Sequence, residues 1–164
     1  MSDSLVIHRP PLKKIHSLDY TRHRVYLSGA MTGEDWQSKF TTKLEDLRAD
    51  VFCPRYPSSH TVPGPDGLFE WEIDHMSIAN VIAFNFISNE DCSSALIALG
   101  MYARTDRVIV YCDDDFYKKG DIDALCDRED IPQVDSLDLL IKWTIARISP
   151  PTQTNYGHLL DQFS

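Results

Sequence analysis

The chain has no apolar run approaching the ~20 residues that a membrane-spanning helix needs, and Met1 to Arg24 is polar, carries Pro10-Pro11 and contains no hydrophobic segment of the secretory kind. The expectation is a protein with no membrane partner, located in the cytoplasm. Cationic charge is scarce as well: 16 Lys and Arg stand against 25 Asp and Glu, a formal charge of −9. A general nucleic-acid binder needs a cationic face to displace phosphate counterions, so that class is excluded. Paired cysteines are missing too. Cys53, Cys92, Cys112 and Cys126 form no C-x-x-C, and no His stands at ligand spacing beside them. Four reduced thiols and no metal is the reading. Neither G-x-G-x-x-G nor a P-loop lysine motif occurs, which removes dinucleotide and P-loop phosphate binding, and no cofactor is expected.

What is present suits one soluble domain. An apolar fraction of 43% and a charged fraction of 25% are ordinary for a globular chain, and 164 residues give room for a single core. Residues 1–22 read as an extended arm in which Pro10-Pro11 excludes regular structure, residues 23–148 as the domain, and residues 149–164 as a polar tail. Within the domain, 23–28 is β-prone and stops at Gly29, while Trp36, Phe40, Leu44 and Leu47 mark an amphipathic helix over 34–48. Residues 49–53 form a second strand, and 54–68 form a Pro- and Gly-rich loop. The near-continuous apolar runs at 81–87 and 108–112 read as strands covered on both faces. Helices are expected at 69–79, 92–103 and 136–148, a charged loop from Asp113 through Asp121, and a short last strand at Val134. Such alternation predicts an α/β parallel sheet with helices on both faces, whose ligands bind beyond the carboxyl ends of the strands.

Candidate chemistry is sparse when read from residue types. Gly29 and Gly33 could admit a ligand close to the backbone, and Thr32 could cap the following helix. Phe69-Glu70-Trp71-Glu72 sets an aromatic beside two carboxylates, suited to stacking on a base and hydrogen-bonding a sugar; from composition alone, a dipole-favoured acidic helix start is the simpler explanation. Asp113, Asp114 and Asp115 read as a solvated loop rather than a metal cluster. No Ser-His-Asp or Cys-His arrangement can be read from spacing.

Order along the chain adds more. Tyr26-Leu27-Ser28-Gly29-Ala30-Met31, Asp35-Trp36-Gln37, Pro54-Arg55, Trp71-Glu72, Ala79 to Phe84, Ser94 to Gly100 and Phe116 to Ile122 follow one another as in the nucleoside 2-deoxyribosyltransferase-like family, which the chain resembles over roughly residues 20–145. The resemblance implies a flavodoxin-like fold with a five-stranded parallel sheet. It also implies cleavage of the bond between a 2-deoxyribose and its base, with the sugar passed to another base or to water. The partner would be a nucleoside or nucleotide, and the assembly a homodimer or higher homo-oligomer, since the segment around Asp121 in some relatives reaches a neighbouring subunit's site.

By the same resemblance, Ala98 in Ala98-Leu99-Gly100 stands where relatives carry a nucleophilic Glu, and Asn80 where many carry an Asp that manages the base. Tyr26, Gly29, Trp71, Glu72, Ser94 and Asp121 would line the substrate site. A methyl group can neither attack the anomeric carbon nor stabilise its charge. Three accounts of Ala98 stand open: a deliberate inactivation, a natural loss that leaves a nucleoside sensor or interaction protein, or transfer of the role to another carboxylate such as Glu72 or Glu90. The last asks most, because that carboxylate must reach the same point in space. All three expect Ala98 to face an open cleft.

Overall fold

The computed structural model of the chain describes residues 4–10, 18–55 and 67–149. Most of the Pro-rich loop and of the tail expected from the sequence lies outside these residues. Six strands, β1 (Val6–His8), β2 (His23–Gly29), β3 (Ala49–Phe52), β4 (Val81–Phe86), β5 (Val108–Cys112) and β6 (Gln133–Val134), pair in parallel in the order β1-β3-β2-β4-β5-β6. Five helices accompany them: α1 (Trp36–Lys43), α2 (Leu68–Ile78), α3 (Ser93–Tyr102), α4 (Lys119–Arg128) and α5 (Leu137–Ile148).

The period-two alternation of each strand divides the core in two. Tyr26, Phe52, Ile82, Phe84, Phe86, Val108 and Val110 point to one face, where Trp71, Met76, Ala95, Leu99, Ile122 and Cys126 of α2, α3 and α4 cover them. Val25, Leu27, Val51, Ala83 and Ile109 point to the other, under Trp36 and Phe40 of α1 and Leu140 and Ile141 of α5. Both faces are covered, as the apolar runs at β4 and β5 require. The fold is the flavodoxin-like α/β sandwich, and strand order reverses between β2 and β4, so the carboxyl ends of these two strands define the switch point.

Two features depart from the sequence expectation. The sheet has six strands rather than five, because Val6–His8 pairs with Asp50 to Phe52 of β3 before the prolines stop it. A buried polar cluster around Asp50 backs this added strand: His8 Nε2 lies 2.9 Å from Asp50 Oδ1, and Arg22 Nε donates to Asp50 Oδ2 at 3.1 Å. Arg22 also donates to the carbonyls of Ser4 and Ala49, at 2.6 and 2.8 Å. The second departure is α4, in a stretch that reads as charged loop up to Asp121. Ile122 and Cys126, four apart, bury one stripe, and Lys119 pairs with Asp123 at 2.7 Å one turn on.

Candidate functional site

The β2–α1 connection is a rigid turn. Gly29 sits at φ +136°, and a Cβ there would drive into the backbone of Asn85 on β4. The close approach predicted for this glycine is therefore to the neighbouring strand, and Gly33, at φ +69°, meets the Glu90 carboxylate in the same way. The Ala30 carbonyl accepts from Trp36 Nε1 and from Gln37 Nε2, each at 2.8 Å. Arg55 donates to the carbonyls of Thr32, Gly33 and Glu34 at 2.9–3.2 Å, and the Thr32 hydroxyl donates to Glu90. Asp35 rather than Thr32 caps α1, accepting from Ser38 N at 3.0 Å.

Helix α2 is anchored at its carboxyl end. Arg107 donates to the carbonyls of Met76, Ser77 and Ala79, and Arg24 Nε to that of Ile78 at 2.7 Å. Cations at a helix C-terminus satisfy carbonyls that the helix cannot bond itself. Held there, α2 buries Trp71, Glu72, His75 and Met76 against the sheet. The His75 ring stacks on Trp71 at 3.9 Å, meets Phe52 edge-on at 4.8 Å, and has Nδ1 2.7 Å from the Trp71 carbonyl. Burial lowers its pKa, which keeps the imidazole neutral at pH 7.

At this packed surface the polar accounting fails to close. Tyr26 is fully buried, and its hydroxyl has no hydrogen-bond partner of ordinary geometry; the buried Trp71 Nε1, whose ring lies 6.2 Å from that of Tyr26, has none either. Glu72 is 8% exposed with its carboxyl facing the Tyr26 hydroxyl. Burial pushes the Glu72 carboxyl up to about 7, against a smaller downward pull from that hydroxyl. The Tyr26 phenol is held well above its usual range, by burial first and then by the Glu72 charge. Elsewhere buried polar groups are better served: Asp50, Arg22 and Trp36 Nε1 are bonded, and Gln37 and Arg55 leave only one atom each unpaired. On the opposite sheet face Asn85 Oδ1 is also unpaired. An unsatisfied buried polar group costs about 1–3 kcal/mol, and the Tyr26 hydroxyl and Trp71 Nε1 place two of them side by side on the face that also buries the Glu72 carboxyl.

The remaining residues singled out from the sequence have other surroundings. Ala98 is 1% exposed and packs in the cluster that contains Tyr26, Trp71 and Leu99, so its methyl is a core group and does not stand at an exposed surface. Asn80 is exposed at the amino end of β4, the opposite end of the sheet from the switch point. There its Oδ1 accepts from Arg24 N at 2.8 Å and its N–H donates to the Arg24 carbonyl, stapling β4 to β2. Its side chain is thus engaged in holding two strands together. Ser94 is exposed in the first turn of α3, and Asp121 is exposed on α4, paired with Lys118 at 2.8 Å. Asp113 is committed to structure, accepting from Ser88 N and the Tyr111 hydroxyl at 2.9 and 2.8 Å. Among the described residues no group of His, Cys, Asp and Glu is arranged to hold a metal, and no helix is long and apolar enough to cross a membrane. An open cleft of about 620 Å³ beside β6 is lined by Asp114, Asp123, Asp127 and Asp135 with one cation, Lys119; that field repels phosphate.

A signal for the Tyr26–Glu72 pair does exist in the sequence. Trp71, Glu72, His75 and Met76 fall on one helical stripe, and a carboxylate inside a buried stripe is the anomaly to pursue. A family model described as nucleoside 2-deoxyribosyltransferase like matches residues 22–116. The matched span takes in β2, α2, β4 and α3, and ends before Asp121. No curated protein matches the chain.

Proposed function

Because the chain belongs to the nucleoside 2-deoxyribosyltransferase-like family, we propose that its site on α2 and β2 takes a nucleoside or nucleotide and acts on the N-glycosidic bond, without a covalent nucleophile at position 98. The observation that carries this reading is the buried Tyr26 hydroxyl facing the Glu72 carboxyl, beside a Trp71 Nε1 that has no hydrogen-bond partner among the described residues, all inside the family-matched span. Its hydroxyl and the indole N–H offer donors to a sugar or base, and Glu72 offers an acceptor or, when protonated, a donor. Ala98 removes the covalent route, in which a carboxylate carries the sugar between two bases. Ligand transfer through a sugar-bound enzyme is therefore absent. Four buried, unpaired thiols suit a reducing compartment such as the cytoplasm. A homo-oligomeric assembly fits the family.

Calorimetry with the four common 2′-deoxynucleosides and their 5′-monophosphates tests the reading: at least one is expected to bind, and no heat from any of them sinks it. A second reading, a ligand-binding sensor with no turnover, draws on the tight packing of Ala98 in the core. The two separate on whether the bound ligand releases free base. Restoring a carboxylate by Ala98→Glu is expected to exact a structural cost, since a longer side chain in a filled core loses about 1–3 kcal/mol before its charge is counted. A thermal melt of that variant unchanged from wild type would show room at position 98 that the packing denies.

A further inference from the structure

The family-matched span begins at residue 22, yet a side chain ahead of it reaches the connections that border the candidate site. We propose that Arg9, the residue after β1, is a positioning residue for this site: through Arg55 it holds the β2–α1 turn in the arrangement that a ligand meets. The proposal rests on the reading of this site as one for a nucleoside or nucleotide, and adds to it a contribution from outside the matched span.

Strand β1 runs parallel to β3, so Arg9 emerges at the carboxyl ends of the strands, where the β2–α1 and β4–α3 connections also lie. Its Nη1 donates to the Arg55 carbonyl at 2.7 Å and to the Cys53 sulfur at 3.2 Å. Cys53 is fully buried at the end of β3, and its sulfur bears on the Tyr26 phenol, after burial and the Glu72 charge. Arg9 thereby fixes the main chain from which the Arg55 side chain departs. That side chain, 14% exposed, directs its donors at the carbonyls of Thr32, Gly33 and Glu34, and its Nε lies 3.8 Å from Asp35 Oδ1. Thr32 and Gly33 in turn meet Glu90 of the β4–α3 connection. One run of contacts ties the ends of β1 and β3 to both connections at the switch point.

Two observations separate positioning from simple attachment of β1. The strand has its own anchor, since Asp50 joins His8 to Arg22 without Arg9. The Arg9 charge, moreover, is felt at the start of α1. Burial pushes the Asp35 carboxyl up, but the Ser38 hydrogen bonds and then the charges of Arg55 and Arg9 hold it below its usual range. Two cations acting on one carboxylate also repel each other, an arrangement that adds nothing to strand pairing. It is accounted for by the turn, whose carbonyls take the Arg55 donors.

Arg9→Ala and Arg9→Lys in the full chain test the assignment, by calorimetry with the same deoxynucleosides and monophosphates and by hydrogen exchange without ligand. Arg9→Ala is expected to raise the dissociation constant of the compound that the wild type binds by about 10–100-fold, the effect of losing a charged donor at a positioning contact. Arg9→Lys, which can still donate to the Arg55 carbonyl, should recover most of that loss. In exchange, the amides of Ala30 and Ser38, bonded to Asn85 and Asp35, should lose protection in Arg9→Ala, while those of Val6 to His8 keep theirs. A residue that merely attached β1 would give the reverse pattern. Binding by Arg9→Ala within about threefold of wild type, or exposure of β1 with the turn still protected, overturns the assignment. Exchange across β4 and β5 is expected to match wild type; a global loss there would assign Arg9 to folding and overturn the proposal equally. A wild type that binds none of the compounds removes the reading of the site and the proposal with it, whereas binding indifferent to position 9 removes the proposal alone.

Discussion

Glu72→Gln is expected to make the protein more stable at pH 8, by about 2 kcal/mol, which for a chain of this size raises the melting temperature by roughly 4–8 °C. The reason lies in the proton balance. The folded-state pKa of Glu72 is raised from 4.5 to about 7, chiefly by burial. Between those values the folded chain holds a proton that the unfolded chain has released, so stability falls as pH climbs through the window. Below the lower value nothing is lost; above the upper one the full penalty, on the order of 3 kcal/mol, is present. Glutamine carries no charge to bury, and it keeps the shape. At pH 4 the variant and the wild type should therefore melt together. A residue whose role was to hold α2 on the sheet would behave in the opposite way, and a variant less stable than wild type at pH 8 would refute the strained, functional placement of Glu72. Stability gained on removing a group is a recurrent mark of a site shaped for function rather than for folding.

Asp50→Ala is the second large change, and its sign is reversed. Asp50 is 2% exposed and joins His8 of β1 to Arg22 ahead of β2. Removing the carboxylate leaves the Arg22 guanidinium, itself 7% exposed, beside an apolar void. Deleting one partner of a buried ion pair commonly costs 3–5 kcal/mol, and a loss of about that size is expected from a denaturant melt. Hydrogen exchange should localise the damage, with the amides of Val6 to His8 losing protection first while those of β4 and β5 follow only the global change. A loss below about 1 kcal/mol, with β1 still protected, would mean that strand pairing alone holds the arm.

These two carboxylates show what was legible beforehand. The apolar runs at β4 and β5 and the helical spacing of Trp36, Phe40 and Leu44 encode the sandwich directly, the runs by being short, apolar throughout and bounded, the spacing by its four-residue period. Strand β1 escaped because three residues before a proline carry too short a pattern; the pairing depends on Asp50, some forty positions away. Helix α4 escaped because Gly120 and its acidic neighbours suggest a loop, and only the docking of Ile122 and Cys126 reveals its stripe. In the site, motif order marked Tyr26, Trp71 and Glu72, which the fold brings together, and it equally marked Asn80, at the amino end of β4, and Asp121, exposed on α4 and paired with Lys118. Order along a chain reports membership of a family, while which residues meet depends on strand parity and on which end of the sheet each residue occupies. Ala98 is informative for the same reason: the alanine is read straight from the sequence, but the buried Glu72 carboxyl facing Tyr26 becomes visible only once the helix is seated.

The short strand at the sheet's margin has a bearing on which backbones the sheet can pair with. Without Val6–His8, the outward hydrogen-bonding groups of Ala49–Phe52 would form an apolar template open to another molecule's backbone. Three residues are enough to occupy that template, and the proline at position 10, which has no amide hydrogen to offer, limits how far a stranger could extend it. Deleting the first ten residues should thus make the protein self-associate on warming through the bared edge of Ala49–Phe52.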